Sequence, residues 1–335
     1  MTITEAPPHR APEPAFEPPE SVPRSAAPPR TPRPPKAPRP PRRPPRPPVV
    51  RPPLSRGGAI ARSVAATVAV LLAMFVLNLT VFSHVQHLVT QQKLSDEFRA
   101  QLSAGTAPVS EGTFEDVLLA DGVPVGILEI PRIGMYEVIV EGTSSAETSM
   151  GIAHRRDSVL PGQAGVSVIM GRSAAYGGPF SAITSLSPGD TITVRTGQGM
   201  QIFEVMGLRY AGDATPPAPV RGESRMILMT ARGAPYIPGG ISYVDAKLVS
   251  ETQPSGARQT TSLTLPPEAK PLATDTTTVW ALVFALQFLI AVEIAAVWAF
   301  RRFGAQKTWI VFLPVLVLAG FLVADQTTRL LPNLL

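Results

Sequence analysis

The chain has no cysteine, which excludes disulfides, thiolate metal sites and thiol catalysis together. Histidine is scarce as well, and His154 is the only one between residues 123 and 250. Acidic residues are missing from one long stretch, because every charged side chain from Arg24 to Arg56 is basic. That stretch belongs to a region, residues 1–56, that holds 21 of the chain's 38 prolines and almost no aliphatic clusters. Proline removes the backbone donor and fixes φ, so repeated Arg-Pro-Pro units form neither helix nor sheet. They favour extended polyproline II, with too little apolar surface to offset ordering entropy. Residues 1–58 therefore read as a disordered Pro/Arg-rich arm. Such an arm suits a cytoplasmic partner with an aromatic-lined groove, or anionic lipid head groups at about 1 kcal/mol per basic residue. The plainer reading is a solvated tail that helps fix topology. Residues 1–62 carry a net charge of +8 and the other 273 a net charge of −3. The basic balance is local, and it does not point to nucleic acid.

Three long apolar runs are present. Val64 to Phe82 is 19 residues, enough to cross a hydrocarbon core of roughly 30 Å. It begins too late, and lacks the small-x-small site, expected of a cleaved signal peptide. We read residues 59–83 as a first membrane span. Runs near Val279–Phe300 and Trp309–Ala324 give spans at 278–300 and 309–324. The loop between them, residues 301–308, carries Arg301, Arg302 and Lys307 and no acid. By the positive-inside rule this loop and the arm both lie in the cytoplasm. Residues 83–278 are then outside, and 325–335 form an external tail. Glu293 falls mid-span and Pro314 interrupts the third span. An ionisable residue within a span is a functional candidate; the plainer account is a hydrogen bond to a neighbouring span or a partner helix.

Between the first and second spans the periodicity changes. Val85, Leu88, Leu94, Phe98 and Leu102 have helical spacing, so residues 84–122 read as a helical stalk followed by a linker. His84 and His87 lie three apart on one helical face; with no further ligand nearby they read as interfacial histidines rather than a metal site. Short β-rich runs follow at Val125–Ile130, Tyr136–Glu141, Val166–Met170, Asp190–Arg195, Met200–Arg209, Arg225–Thr230 and Ile241–Val249. Ser187-Pro-Gly-Asp190 and Thr196-Gly-Gln-Gly199 are turn clusters, the second joining two strands as a hairpin. Pro179–Leu186 is a short-helix candidate. Strands of this length and spacing argue for a closed barrel or a sandwich over residues 123–250, with 251–277 as a linker to the second span. The fold class is mainly β, with short helices and three transmembrane helices.

Several landmarks then occur in a recognisable order. Gly126-Ile-Leu-Glu-Ile-Pro-Arg-Ile-Gly134 comes first, then Gly151-Ile-Ala-His154 and Leu160-Pro-Gly-Gln-Ala-Gly165. Gly171-Arg-Ser and Tyr176-Gly-Gly-Pro-Phe180 follow, then Leu186-Ser-Pro-Gly-Asp190, Met226-Ile-Leu-Met-Thr-Ala231 and Val244-Asp-Ala-Lys-Leu-Val249. Together these resemble the sortases, the cysteine transpeptidases of Gram-positive surfaces, in a class E-like form. The C-terminal pair of spans is more common in the pilus-type members. The resemblance implies an eight-stranded β-barrel on a membrane anchor. It also implies a cysteine nucleophile, a histidine that handles the proton and an arginine that stabilises the oxyanion. Here the histidine position holds Arg172, the cysteine position holds Ala231, and the arginine position falls at or next to Ile241.

None of the three residues present can do that chemistry. Alanine offers no nucleophile, a protonated guanidinium is no acid–base group, and isoleucine donates nothing. Ser173, Thr230 and Ser242 carry hydroxyls beside the lost positions, yet a hydroxyl needs a base, and His154 matches a position the family does not use in catalysis. Arg172 and Arg232 form a cationic pair of the kind that binds carboxylate or phosphate, or else each pairs with a neighbouring acid. The expectation is a catalytically degenerate member with no catalytic residues, no metal and no cofactor. Its degenerate cleft would hold Arg172, Ser173, Thr230, Arg232 and His154, and would bind or scaffold a cell-envelope protein or a sorting-signal peptide beside the lipid bilayer. The rival readings are an active transpeptidase or hydrolase with a non-cysteine nucleophile, and a structural subunit of a membrane complex.

Overall fold

Alternating burial along the strands is what curls them around one core. In the computed structural model, which describes residues 55–112, 115 and 117–335, β5 (Thr191–Thr196) buries Ile192, Val194 and Thr196. Its hairpin partner β6 (Gly199–Tyr210) buries Gln201, Phe203 and Val205. The other strands are β1 (Pro124–Ile130), β2 (Met135–Glu141), β3 (Ile152–His154), β4 (Gly165–Met170), β7 (Ser224–Ala234) and β8 (Ile237–Leu248). They close in the order β1-β2-β3-β4-β7-β8-β6-β5, and the β1–β5 pairing completes the ring. Closure removes every unpaired sheet edge. Leu128, Ile139, Ile169, Phe180, Phe203 and Val244 fill the interior with no solvent exposure.

Two neighbours in the ring are parallel: β2 with β3, and β4 with β7. The connection from β2 to β3 carries a short helix, α3 (Ser145–Met150), started by a capping box in which Ser144 N donates to Glu147 Oε2 at 2.9 Å. Neither α3 nor the three-residue β3 was expected from the sequence. Pro179–Leu186 shortens to a single 3-10 turn at Ile183–Ser185. The strands β7 and β8 run further than expected and meet in a tight hairpin at Ala234–Ile237.

Among the described residues three helices are long and apolar enough to cross a membrane. The first begins as α1 (Arg56–Leu77), passes through a π-helical segment at Asn78–Phe82, and continues unbroken as α2 (Ser83–Ala104). The other two are α4 (Val279–Phe303) and α5 (Ala305–Arg329), separated only at Gly304, whose φ of 82° needs no Cβ in the way. The expected loop at 301–308 is thus helical on both sides of one residue. Pro314 sits inside α5 without ending it.

Two expectations are refined. The stalk helix forms, but it does not stand apart from the barrel. Leu94 and Phe98 are buried against Ile127, Val138, Val140 and Ala153, Gln91 bonds Val138 N and Met150 O at 2.7 and 2.8 Å, and His87 Nε2 lies 3.0 Å from Glu137 Oε1. The external tail is not a tail either. Residues 325–329 complete α5, and 330–335 lie on the barrel, with Leu334 and Leu335 buried. Six residues, four of them leucine, have too much apolar surface to remain in water. The calls on residues 1–54 lie outside the described residues.

Candidate functional site

The parallel pairing of β4 with β7 brings two distant sequence landmarks side by side. Met170 faces Met229 in register, Gly171 N donates to Met229 O at 3.0 Å, and Thr230 Oγ donates to Gly171 O at 2.9 Å. Arg172 and Ser173 therefore leave the end of β4 next to Thr230 and Ala231. The antiparallel β7–β8 pairing then sets Ile241 opposite Ala231 and Ser242 opposite Thr230. A Cβ on Gly171 would come 2.6 Å from the Phe180 ring, so glycine is needed for that ring to pass under the turn.

Arg172 has no exposed surface. Its Nη2 donates to Ser145 O and Oγ at 2.9 and 2.7 Å, and its Nη1 donates to Pro332 O and Leu335 O at 3.3 and 3.1 Å. The guanidinium carbon stands 5.0 Å from the centre of the Tyr176 ring. Burial disfavours the charged form and brings the guanidinium down to about 10, so it is still a cation at neutral pH. Burial pushes the Tyr176 phenol upward, against the pull of Arg172. Tyr176 holds a left-handed backbone at φ 52°, a conformation most side chains avoid.

The partners of Arg172 show what has filled this end of the cleft. Ser173 N donates to Leu334 O at 2.9 Å. Asn333 Nδ2 reaches Thr143 O at 2.7 Å and Lys270 O at 3.0 Å, while Asn333 N donates to Ala273 O. Ser145 Oγ lies 2.8 and 2.9 Å from Arg329 O and Leu331 O, sharing one proton between them. Leu334 and Leu335 pack with Val168, Met170, Met229 and Ala231. Residues 330–335 are laid along the barrel as a strip, held by the side chain at position 172.

The rest of the cleft is open. A cavity of about 350 Å³ is lined by Ser173, Thr184, Thr230, Ala231, Arg232 and Ser242, among others. Arg232 is exposed, with its guanidinium 4.4 Å above the Tyr210 ring. Ser242 Oγ is buried with no hydrogen-bond partner. Of the expected cleft residues, Ser173, Thr230 and Arg232 line this cavity; Arg172 lies behind it, and His154 does not reach it. Among the described residues no imidazole lines this cavity to serve these hydroxyls.

His154 has its own set of partners, which the sequence did not reveal. Its Nδ1 lies 2.8 Å from Glu141 Oε2, and its Nε2 lies 2.9 Å from Val159 O and 3.1 Å from Ser158 Oγ. The order Ser-His-Glu matches a hydrolase triad, but the roles do not. A carbonyl only accepts, so Nε2 carries a proton and offers Ser158 no base. Ser158 Oγ itself donates to Arg155 O and accepts from Val168 N. All three side chains are buried, and the set reads as a brace between β2, β3 and β4. Among the described residues no group of three His, Cys, Asp or Glu side chains could hold a metal.

An eight-stranded closed barrel with this parallel pair is joined to helices long and apolar enough to cross a membrane. Residues 128–238 match the model of the sortase domain family. The chain is 28% identical over 110 residues to sortase D of Bacillus subtilis, covering 32% of this chain and 54% of that relative, so the chain spans about half the length of the relative it matches. A sortase D5 transpeptidase of Clostridium perfringens is similar at 22% identity, covering 48% of this chain and 99% of that one, with a TM-score of 0.40. Sortase E of Streptomyces avermitilis is similar at 23% identity, covering 39% and 91%, with a TM-score of 0.34.

Proposed function

We propose that the protein is a catalytically silent sortase that binds or scaffolds a cell-envelope partner from a membrane anchor, with its barrel on the outer face and its N-terminus in the cytoplasm. One observation carries this reading. The side chain at the family's histidine position is a buried guanidinium whose four hydrogen bonds go to the chain itself. An acid–base group must be able to exchange a proton with substrate, and this one is sealed from it. Ala231 adds no nucleophile, and Ile241, opposite it, adds no oxyanion donor. The site has been turned from chemistry to packing. The open cavity beside Ala231 still offers Arg232, several hydroxyls and main-chain groups to an extended peptide of the sorting-signal type.

The test uses the full chain in detergent or nanodiscs with sorting-type peptides and an amine acceptor. Peptide binding without turnover is the expected result. Turnover that disappears when Thr230 or Ser173 is replaced by alanine would restore the active-enzyme reading. Ala231→Cys alone is expected to leave the chain inactive, because the base and the oxyanion donor are still absent. Robust turnover from that one change would show that another residue already fills both roles.

A further inference from the structure

We propose that the cleft between α1, α4 and α5 docks a transmembrane helix of another protein through an ion pair between Glu293 and a Lys or Arg on that helix. Glu293 stands on α4 ten residues before its end at Phe303 and fourteen after its start at Val279, roughly 15 and 21 Å along the axis at about 1.5 Å per residue. That depth lies within a hydrocarbon core of about 30 Å. The carboxylate is half-buried, in a cleft of about 330 Å³ lined by Ala66, Thr67 and Val70 of α1 and by Leu313 and Val317 of α5. It has no hydrogen-bond or ion-pair partner among the described residues, and neither does the hydroxyl of Thr67 across the same cleft.

A carboxylate at this depth is costly until something donates to it. Thr67 of α1 and Trp309 of α5 are the donors lining this cleft, and neither hydrogen-bonds Glu293. Lipid acyl chains would fill the space without satisfying the charge, and head groups lie at the interface, not at mid-span. A side-chain cation brought in by a protein segment does satisfy it, and only a helix can carry that side chain through lipid with its own backbone groups paired. The occupant is therefore a basic-centred transmembrane helix. The apolar walls, with Ala66 at the mouth, let it approach closely.

The experiment places the full chain in lipid nanodiscs or vesicles with three synthetic leucine-based transmembrane helices, bearing a central Lys, a central Asn or neither. Association is read by resonance energy transfer from a labelled α4–α5 end. The Lys helix is expected to associate about ten-fold more tightly than the all-leucine helix, matching the one to two kcal/mol typical of polar contacts between spans. Glu293→Leu should abolish that preference, and Glu293→Lys should transfer it to a helix carrying a central Glu. The melting temperature of the barrel confirms that each variant is folded. Equal association of Lys and all-leucine helices, or a preference that survives in Glu293→Leu, would overturn the proposal. An Asn helix that binds as well as the Lys helix, with Glu293→Gln unchanged, would overturn the ion pair in favour of a neutral contact. None of these results depends on whether the barrel is silent or active.

Discussion

Arg172 carries the site's present role in a single side chain. Burying a cation is unfavourable unless it is fully hydrogen-bonded, and here four oxygen contacts offset the cost while Nε is left without a partner. Arg172→Ala removes the donor from Pro332 O, Leu335 O and Ser145 O together. We expect it to cost about 3 kcal/mol or more, measured by chemical denaturation. Hydrogen exchange should speed up at the amides of Ser173 and Asn333, both bonded within the strip. Glu147 gives a pH test at the other side of α3. Burial holds its carboxyl above the ordinary 4.5, so the folded state keeps this proton to higher pH than the unfolded chain does. Stability from this group is then fully present below 4.5 and lost as pH rises through the folded value. Glu147→Gln keeps an acceptor for Ser144 N and removes the titration. It should melt higher than the parent near neutral pH, with the gap closing as pH falls through 4.5. At this scale residue identity alone carries the proposed reading of Arg172, Ala231 and Ile241. It did not tell what Arg172 touches, since its partners lie 27 to 163 positions away.

Elements were legible wherever their pattern was long enough to read. The seven alternating runs all appear as strands, and the three apolar runs as helices. β3 escaped because three residues hold no period, and α3 because six residues hold less than two turns. The capping box at Ser144-Ser-Ala-Glu147 was present in the sequence as the one signal that announces α3. The partner of α2 was hidden for a different reason. Its apolar spacing showed a face, and nothing local could show that β1 and β2 would cover it. Phe98, fully buried in that contact, tests the docking. Phe98→Ala should destabilise the barrel by about 3–5 kcal/mol, and cleavage by a protease within α2 should become faster. Unchanged melting of the barrel would show that the α2 contact does not stabilise it.

The whole molecule is less modular than its sequence reads. A barrel fragment of residues 84–276 would contain every strand, yet it would lack the strip that covers Val168, Met170 and Met229. We expect it to melt below the full chain and to bind a hydrophobic dye, and tethering residues 330–335 to its end should reverse both. Those leucines were read only as an external tail because topology rules count charges near spans and say nothing of what an apolar tail packs against. The first long helix is also tied to α5, where Asn78 Nδ2 donates to Thr328 Oγ at 3.0 Å and the Phe82 and Phe321 rings meet edge to face.

The strip has one consequence at the scale of motion. Leu330 N and Leu331 N close hydrogen bonds to Thr327 O and Thr328 O, so α5 passes into residues 332–335 without a slack segment. A shift of α5 along or across the bilayer would pull directly on the chain seated beside Ala231. Movement of α5 and the shape of the groove are thus joined like the two ends of a short, stiff rod.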